Sequence, residues 1–382
     1  MCWIRGGFFC GYKYSFVNSL LRLEDGLGRL EIFTEIVLSA SSNNYLHHPR
    51  KDFTLLRLFT RLTCCCLSLA LFNLFNDVAK ADIFGSDSNV FEIPCVTIDS
   101  PGNDPETSIN PETGLLDSFG AVDYIYRIGQ FEVTEGAVRA ANAQSELDGS
   151  PLNITLDDRD DDNTPATSLN WFEAARFVNY LNTSSGSAPA YKFDDSGNFE
   201  LHEEGDSGFN PDNRFRNSQA RYFLPSVDEW YKAAYYDPVT ETYFDYPTAS
   251  DEQPIPIASG TAPGTSVFSG NNVLLPNPAP VTLAGGASPF GTIGQGGNVA
   301  EWEETTSNIL NNLVSAPRGV RGADFFDKFP TDSLSNRRNI TNPALETFLT
   351  GFRVASIASV PEPSSLLLGA MAGAVLLLRR SR

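Results

Sequence analysis

Acidic side chains supply most of the chemistry this sequence could do. Asp228 and Glu229 are neighbours, and Asp324 and Asp327 fall close together, as pairs that share acid and base roles must. Asp157, Asp158, Asp160, Asp161 and Asp162 crowd one stretch, a weaker candidate for a cation. Their spacing matches no EF-hand, and a solvated loop is the plainer reading. Thiols and imidazoles are scarce. Cys2, Cys10, Cys64, Cys65 and Cys66 all precede residue 82, leaving Cys95, and of His47, His48 and His202 only the last lies beyond it. One thiol makes no intrachain disulfide. One thiol with one imidazole excludes most His-based and thiolate zinc sites and triads that need a spare base.

The charge balance narrows the partners. The chain has 382 residues and a formal net charge of −20. Residues 82–360 hold 15 Lys and Arg against 40 Asp and Glu, a balance of −25. Such a body repels phosphate backbones, so no nucleic-acid partner is expected. The glycines of "GTIGQGGNVAEW" precede no Gly-Lys-Ser/Thr, so they do not make a nucleotide loop.

The elements that must position these groups are few. "FEIPCVTID" and "YRIGQFEVT" read as strands. "TEGAVRAANAQ" has helical spacing, opened by Thr134 or Glu135. "SLNWFEAARFVNYLNTSSG" is an amphipathic helix with Ser168 or Asn170 as its cap. "YFLPSVDEWYKAAYYDP" gives a strand end, a Pro-Ser cap, a third helix and a stop at Pro238. From Phe244 to Asn298 the chain is mostly Gly, Pro, Ser, Ala and Thr, a loop long enough to mark function or a loop-rich fold.

The two ends read as addresses. Residues 52–81 have the plan of a signal peptide: Arg57 and Arg61, an apolar run from Leu62 to Phe75, then Ala79-Lys80-Ala81 before a cut at Asp82. Residues 1–51 precede that plan and read as an upstream extension or disordered chain. At the other end, Ser364 to Leu378 carries no charge and ends at Arg379, Arg380 and Arg382. As a helix it would span about 22 Å, short of a ~30 Å hydrocarbon core, so it promises weak or transient membrane association. With Pro361-Glu362-Pro363, residues 359–382 resemble the Pro-Glu-Pro (PEP-CTERM) sorting signals of Gram-negative bacteria. The resemblance implies export to the cell surface, outer membrane or extracellular matrix.

Between these ends, five segments resemble the formylglycine-generating enzyme (sulfatase-modifying factor) family in their order. They are "YRIGQFEVT", "PATSLNWFEAARFVNYLN", "RYFLPSVDEWYKAAYYDP", "SPFGTIGQGGNVAEWEET" and "RGVRGADF" followed by "TGFRVAS". The match covers 120–357, with 82–119 left as an N-terminal segment of the mature protein. It implies an α+β fold: one compact domain related to C-type lectins, with little regular structure and long loops. Trp171, Trp230 and Trp302 are then expected as core anchors. Arg321 and Arg353 are expected as buried partners of Asp228, Glu229 or Glu301.

The resemblance also implies chemistry, and there the sequence departs. Family enzymes oxidise a substrate cysteine with copper held by two cysteines ahead of Gly-Phe-Arg. Ser335 to Ser356 contains none, so no copper is expected. A second branch holds iron through histidines, and His202 stands alone in the body. The family's calcium loop carries over as the Glu301 carboxylate with the carbonyls of Gly297, Val299 and Gly294, and implies a structural Ca²⁺. An ion pair of Glu301 with an arginine is the competing reading. The expected function is a non-catalytic binding or matrix module for a surface partner, protein or carbohydrate. The alternative is a divergent formylglycine-generating oxidase or a carboxylate-based enzyme.

Overall fold

Side-chain caps set the starts of three helices. A computed structural model describes residues 80–109, 114, 116–156, 161–270 and 274–357. Helix α1 (Glu135–Leu147) opens on Thr134, whose hydroxyl accepts from the Ala137 amide. Helix α2 (Trp171–Ser184) opens on Asn170 and α3 (Val227–Tyr235) on Ser226. Each of these two is closed into a capping box, by Glu173 and Glu229 respectively, so two otherwise orphaned amides are satisfied at each start. Ala137, Val138 and Ala141 of α1 and Trp171, Ala174, Ala175, Val178 and Leu181 of α2 form the buried faces that the spacing predicts.

The strands are short. They are β1 (Lys80–Phe84), β2 (Phe91–Ile98), β3 (Glu106–Ile109), β4 (Leu116–Phe119), β5 (Tyr126–Gly129), β6 (Lys192–Phe193), β7 (Phe199–Glu200) and β8 (Tyr222–Phe223). There follow β9 (Tyr236–Asp237), β10 (Thr242–Tyr243), β11 (Ile255–Ile257), β12 (Thr265–Val267), β13 (Ala300–Thr306), β14 (Arg318–Arg321), β15 (Asn339–Thr341), β16 (Thr350–Gly351) and β17 (Ala355–Ile357). One sheet runs β1-β2-β5-β17-β8 with antiparallel pairing throughout. Its fourth strand is the last of the described chain: Ala355 pairs Ile128 on one side and Phe223 on the other. A second sheet runs β15-β14-β13-β16, with β13 antiparallel to β14 and parallel to β16.

Several sequence readings hold and some shift. "YRIGQFEVT" is strand only as far as Gly129. Residues 82–119, the N-terminal segment, contribute to the five-stranded sheet: β1 is its edge strand and β2 lies between β1 and β5. The expected cut before Asp82 falls inside β1; the rest of the signal peptide, residues 1–51 and residues 359–382 lie outside the described residues. Trp171, Trp230 and Trp302 are fully buried. Among the described residues no helix is long and apolar enough to cross a membrane.

Candidate functional site

Strand β13, "AEWEETT", is buried at all seven positions although three of them are glutamates. Buried carboxylates persist only when paired, and each of these is. Glu301 and Glu303 lie two apart and share a face; Glu304 falls on the other, with Trp302.

Glu301 accepts from Arg353 at both oxygens: Nη2 to Oε1 at 2.5 Å and Nε to Oε2 at 2.6 Å. The Trp230 indole N–H donates to Oε2 at 2.7 Å. Glu303 accepts from Arg321 Nε at 2.9 Å on one oxygen and from Arg338 Nε at 2.8 Å on the other. Glu304 accepts from Arg216 Nε at 2.8 Å and the Tyr191 hydroxyl at 2.9 Å, both at Oε1. Arg216 also donates to Glu229 at 3.0 and 2.9 Å, so one guanidinium joins α3 to β13. It lies 3.8 Å from the Phe223 ring centroid, a further favourable contact for its charge. Arg318, fully buried, stacks on Trp171 and Phe215 at 4.5 and 4.2 Å; burial lowers its pKa to about 10.

The Arg353–Glu301 pair was among the expected partners. Arg321 was not placed correctly: it pairs with Glu303, while Glu229 takes Arg216 and Asp228 takes the Gly120 amide at 2.8 Å. Burial pushes Asp228 up to about 6. Asp324 and Asp327 do meet, each accepting from the other's amide, at 3.1 and 2.8 Å. Burial, then Asp327, pushes Asp324 up to about 7. Of the acidic run, Asp157, Asp158 and Asp160 lie outside the described residues, Asp161 accepts from Asn163 in its own turn, and Asp162 pairs with Arg139.

Glu132 was missed by sequence reasoning. It sits in "FEVT" and is completely buried, with Asn298 Nδ2 donating to Oε1 at 3.1 Å and Oε2 without a partner. Burial pushes its pKa up to about 8; Arg353 pulls it down and Glu301 adds to the rise. Its carboxylate packs on Gly294, whose φ of +91° and lack of a Cβ are both required, since a Cβ would collide with the two oxygens.

The calcium reading meets this geometry directly. Gly294, Gly297, Val299 and Glu301 lie on one turn-and-strand segment, and Gly294 O accepts from the Gly297 amide at 3.4 Å. Yet both Glu301 oxygens are committed to Arg353 and Trp230. The Arg353 guanidinium also donates to the carbonyls of Gly129 at 2.8 Å and Ile293 at 3.1 Å. A protein cation thus already holds the Glu301 carboxylate, and that side chain as folded does not fit a calcium ion. The ion pair replaces that expectation. Among the described residues no three His, Cys, Asp or Glu side chains are placed to hold a metal. Copper fits no better by donor chemistry: the one cysteine among the described residues, Cys95, is buried in β2, and burial pushes its thiol up to about 12.

Over residues 122–358 the sequence matches the sulfatase-modifying factor enzyme 1-like domain. The chain belongs to that family. The matched span begins and ends within two residues of the 120–357 expected from the five segments. Among solved structures, Treponema denticola variable protein 1 is similar at 19% identity and a TM-score of 0.51, covering 74% of this chain and 100% of its own. CarF is similar at 20% identity and a TM-score of 0.49, over 70% of this chain and 99% of its own. PvdO from Pseudomonas aeruginosa is similar at 18% identity and a TM-score of 0.42, over 72% and 98%. A search of curated proteins gives no match. At these identities the likeness concerns the fold alone. The sulfatase-modifying factor-like domain here is a set of loops clamped on a buried ion-paired strand.

Proposed function

We propose that this sulfatase-modifying factor-like domain is an exported, surface-sorted binding module and does not catalyse cysteine oxidation. The observation that carries this reading is the side-chain inventory. The only cysteine among the described residues is Cys95, buried with its thiol held protonated, and the only histidine is His202, buried against the Ala190 carbonyl. Neither supplies a thiolate pair or an imidazole cluster. The carboxylates of β13 are each tied to an arginine, which commits them to holding the scaffold. Fold does not confer activity; the site must, and here the polar groups hold the scaffold.

Export rests on the sequence, on Ala79-Lys80-Ala81 and on Pro361-Glu362-Pro363 with the apolar tail behind it. The fold is compatible with a cut before Asp82. That residue's carboxylate keeps Arg127 and Tyr222 as partners, and only two β1 positions precede it.

A direct test incubates the full chain with copper, oxygen and a Cys-x-Pro-x-Arg peptide and looks for aldehyde by mass. No aldehyde above a protein-free control is expected, and aldehyde formation would overturn the reading in favour of a divergent oxidase. Intact mass of the cell-surface product tests the address: a product beginning at Asp82 is expected, and one still carrying residues 1–50 would refute it.

A further inference from the structure

Phe325, Phe326 and Phe348 form a three-ring cluster with centroids 5.7, 6.2 and 6.1 Å apart. Phe325 is the floor, buried against Val267 and Val299. Phe326 and Phe348 are 39% and 37% exposed. Phe329 and Leu345, close by in sequence, are more exposed still. A contiguous aromatic cluster left half-open to solvent is the kind of surface a partner can cover.

The charge around the rings says what. Asp324 and Asp327 bracket Phe325 and Phe326 in one turn, and the Phe326 amide donates to Asp324 Oδ1 at 2.8 Å. Their acceptors are met by backbone N–H groups, and among the described residues neither makes an ion pair. Asp332 acts on both through its field. Lys328 is the one base in the turn that carries Asp324 and Asp327. Burial raises both groups, Asp324 to about 7, so a cation docked beside them would draw them toward the charged form. Aromatic faces beside them favour a cation with an apolar stem.

We propose that the Phe326 and Phe348 rings, with Asp324 and Asp327, form a docking surface for a basic segment of a protein partner. An arginine or lysine would lay its stem on the rings and point its charged head at the two carboxylates. Acidic polysaccharide and nucleic acid are repelled by the same charges, and so is a second copy of this strongly acidic chain. This proposal rests on the binding-module reading and names its partner class.

The test uses the full chain and a labelled peptide of alternating arginine, leucine and serine, read by fluorescence anisotropy at physiological salt. The same peptide with glutamate for arginine is the control. Screening within about 8 Å at that salt suppresses the general pull of an acidic protein. The basic peptide should bind and the acidic one should not. Phe326→Ala and Asp327→Asn should each weaken binding by about tenfold, the scale of one lost cation–π or ion-pair contact at a partly desolvated site. Asp327→Asn keeps the turn's acceptor oxygen, so loss there reports charge and not unfolding. Asp194→Asn, in a different and exposed turn, should change nothing. Equal weakening by Asp194→Asn, no weakening by either site variant, or no binding at all overturns the proposal. So does selective binding of a neutral oligosaccharide that Phe326→Ala abolishes. These outcomes leave the module reading intact, which falls only if aldehyde is formed.

Discussion

Arg353 and Glu301 face each other through two hydrogen bonds of 2.5 and 2.6 Å, with both side chains fully buried. The arginine stands two residues before β17, the glutamate is the second residue of β13, and the two strands belong to different sheets. The pair is therefore a clasp between the sheets. Glu301→Gln takes the bidentate carboxylate from the buried Arg353 and leaves it the carbonyls of Gly129 and Ile293 and the field of Glu132. A loss of about 3–5 kcal/mol is expected for breaking such a pair on one side. At about 2–4 °C per kcal/mol for a domain of this size, the melting temperature should fall by roughly 6–20 °C. The fall should be the same in calcium and in chelator. A wild-type stabilisation by calcium that the variant alone loses would restore the calcium reading of this loop.

Glu132 gives the pH dependence a definite sign. Its folded pKa, about 8, lies above the ordinary carboxylate range because burial disfavours the charged form. The folded state therefore binds this proton more tightly than the unfolded state does. The resulting stability is complete below the ordinary carboxylate range and is lost as pH rises from there through about 8. Glu132→Gln stays neutral at every pH. Relative to wild type it should become progressively more stable between pH 5 and pH 9, by an amount on the order of a few kcal/mol. Chemical denaturation of both proteins across that range measures the difference directly. A constant offset would show that Glu132 titrates normally.

The parts of this fold that obey local rules were legible. The sequence offers Thr134 or Glu135, Ser168 or Asn170, and a Pro-Ser cap before the third helix; Thr134, Asn170 and Ser226 cap the helices. The order of the five segments carried the family resemblance, and the family model matches over residues 122–358. Strand β13 was legible only as a motif. Three glutamates in seven residues look like a solvated edge; the resemblance offered Glu301 as one partner of a buried arginine, and nothing nearby reveals that Glu303 and Glu304 are buried too. Their partners come from far along the chain: Arg216 is 88 residues from Glu304, and Arg353 is 52 from Glu301. Pairing over such separations leaves no periodicity, so Arg321 was assigned to the wrong carboxylates. Glu132 was hidden for a related reason: in "FEVT" it alternates with apolar residues as a solvent-facing strand position would. The open rings of Phe326 and Phe348 carry no signal either, because a phenylalanine in sequence is read first as core.

Arg216 is where the network can be taken apart most informatively. Its planar head donates to Glu229 of α3 and Glu304 of β13 at once. Lysine offers a point charge without the fork, so Arg216→Lys should not substitute. Arg216→Met leaves two buried carboxylates that repel each other, with only Tyr124, Tyr191, Asn213 and the Ser226 amide to donate. A loss of about 3–5 kcal/mol is expected, and the Lys variant should recover only part of it. Adding Glu304→Gln to Arg216→Met removes one of the stranded charges, so the double variant should be more stable than the single one. Such a recovery is the signature of coupling through one shared charge and would not follow from lost packing alone. Urea denaturation of wild type, Arg216→Lys, Arg216→Met, Glu304→Gln and the double variant completes the comparison. If the two substitutions simply add, Arg216 packs against Phe223 without mattering electrostatically, and β13 is held by its other pairs.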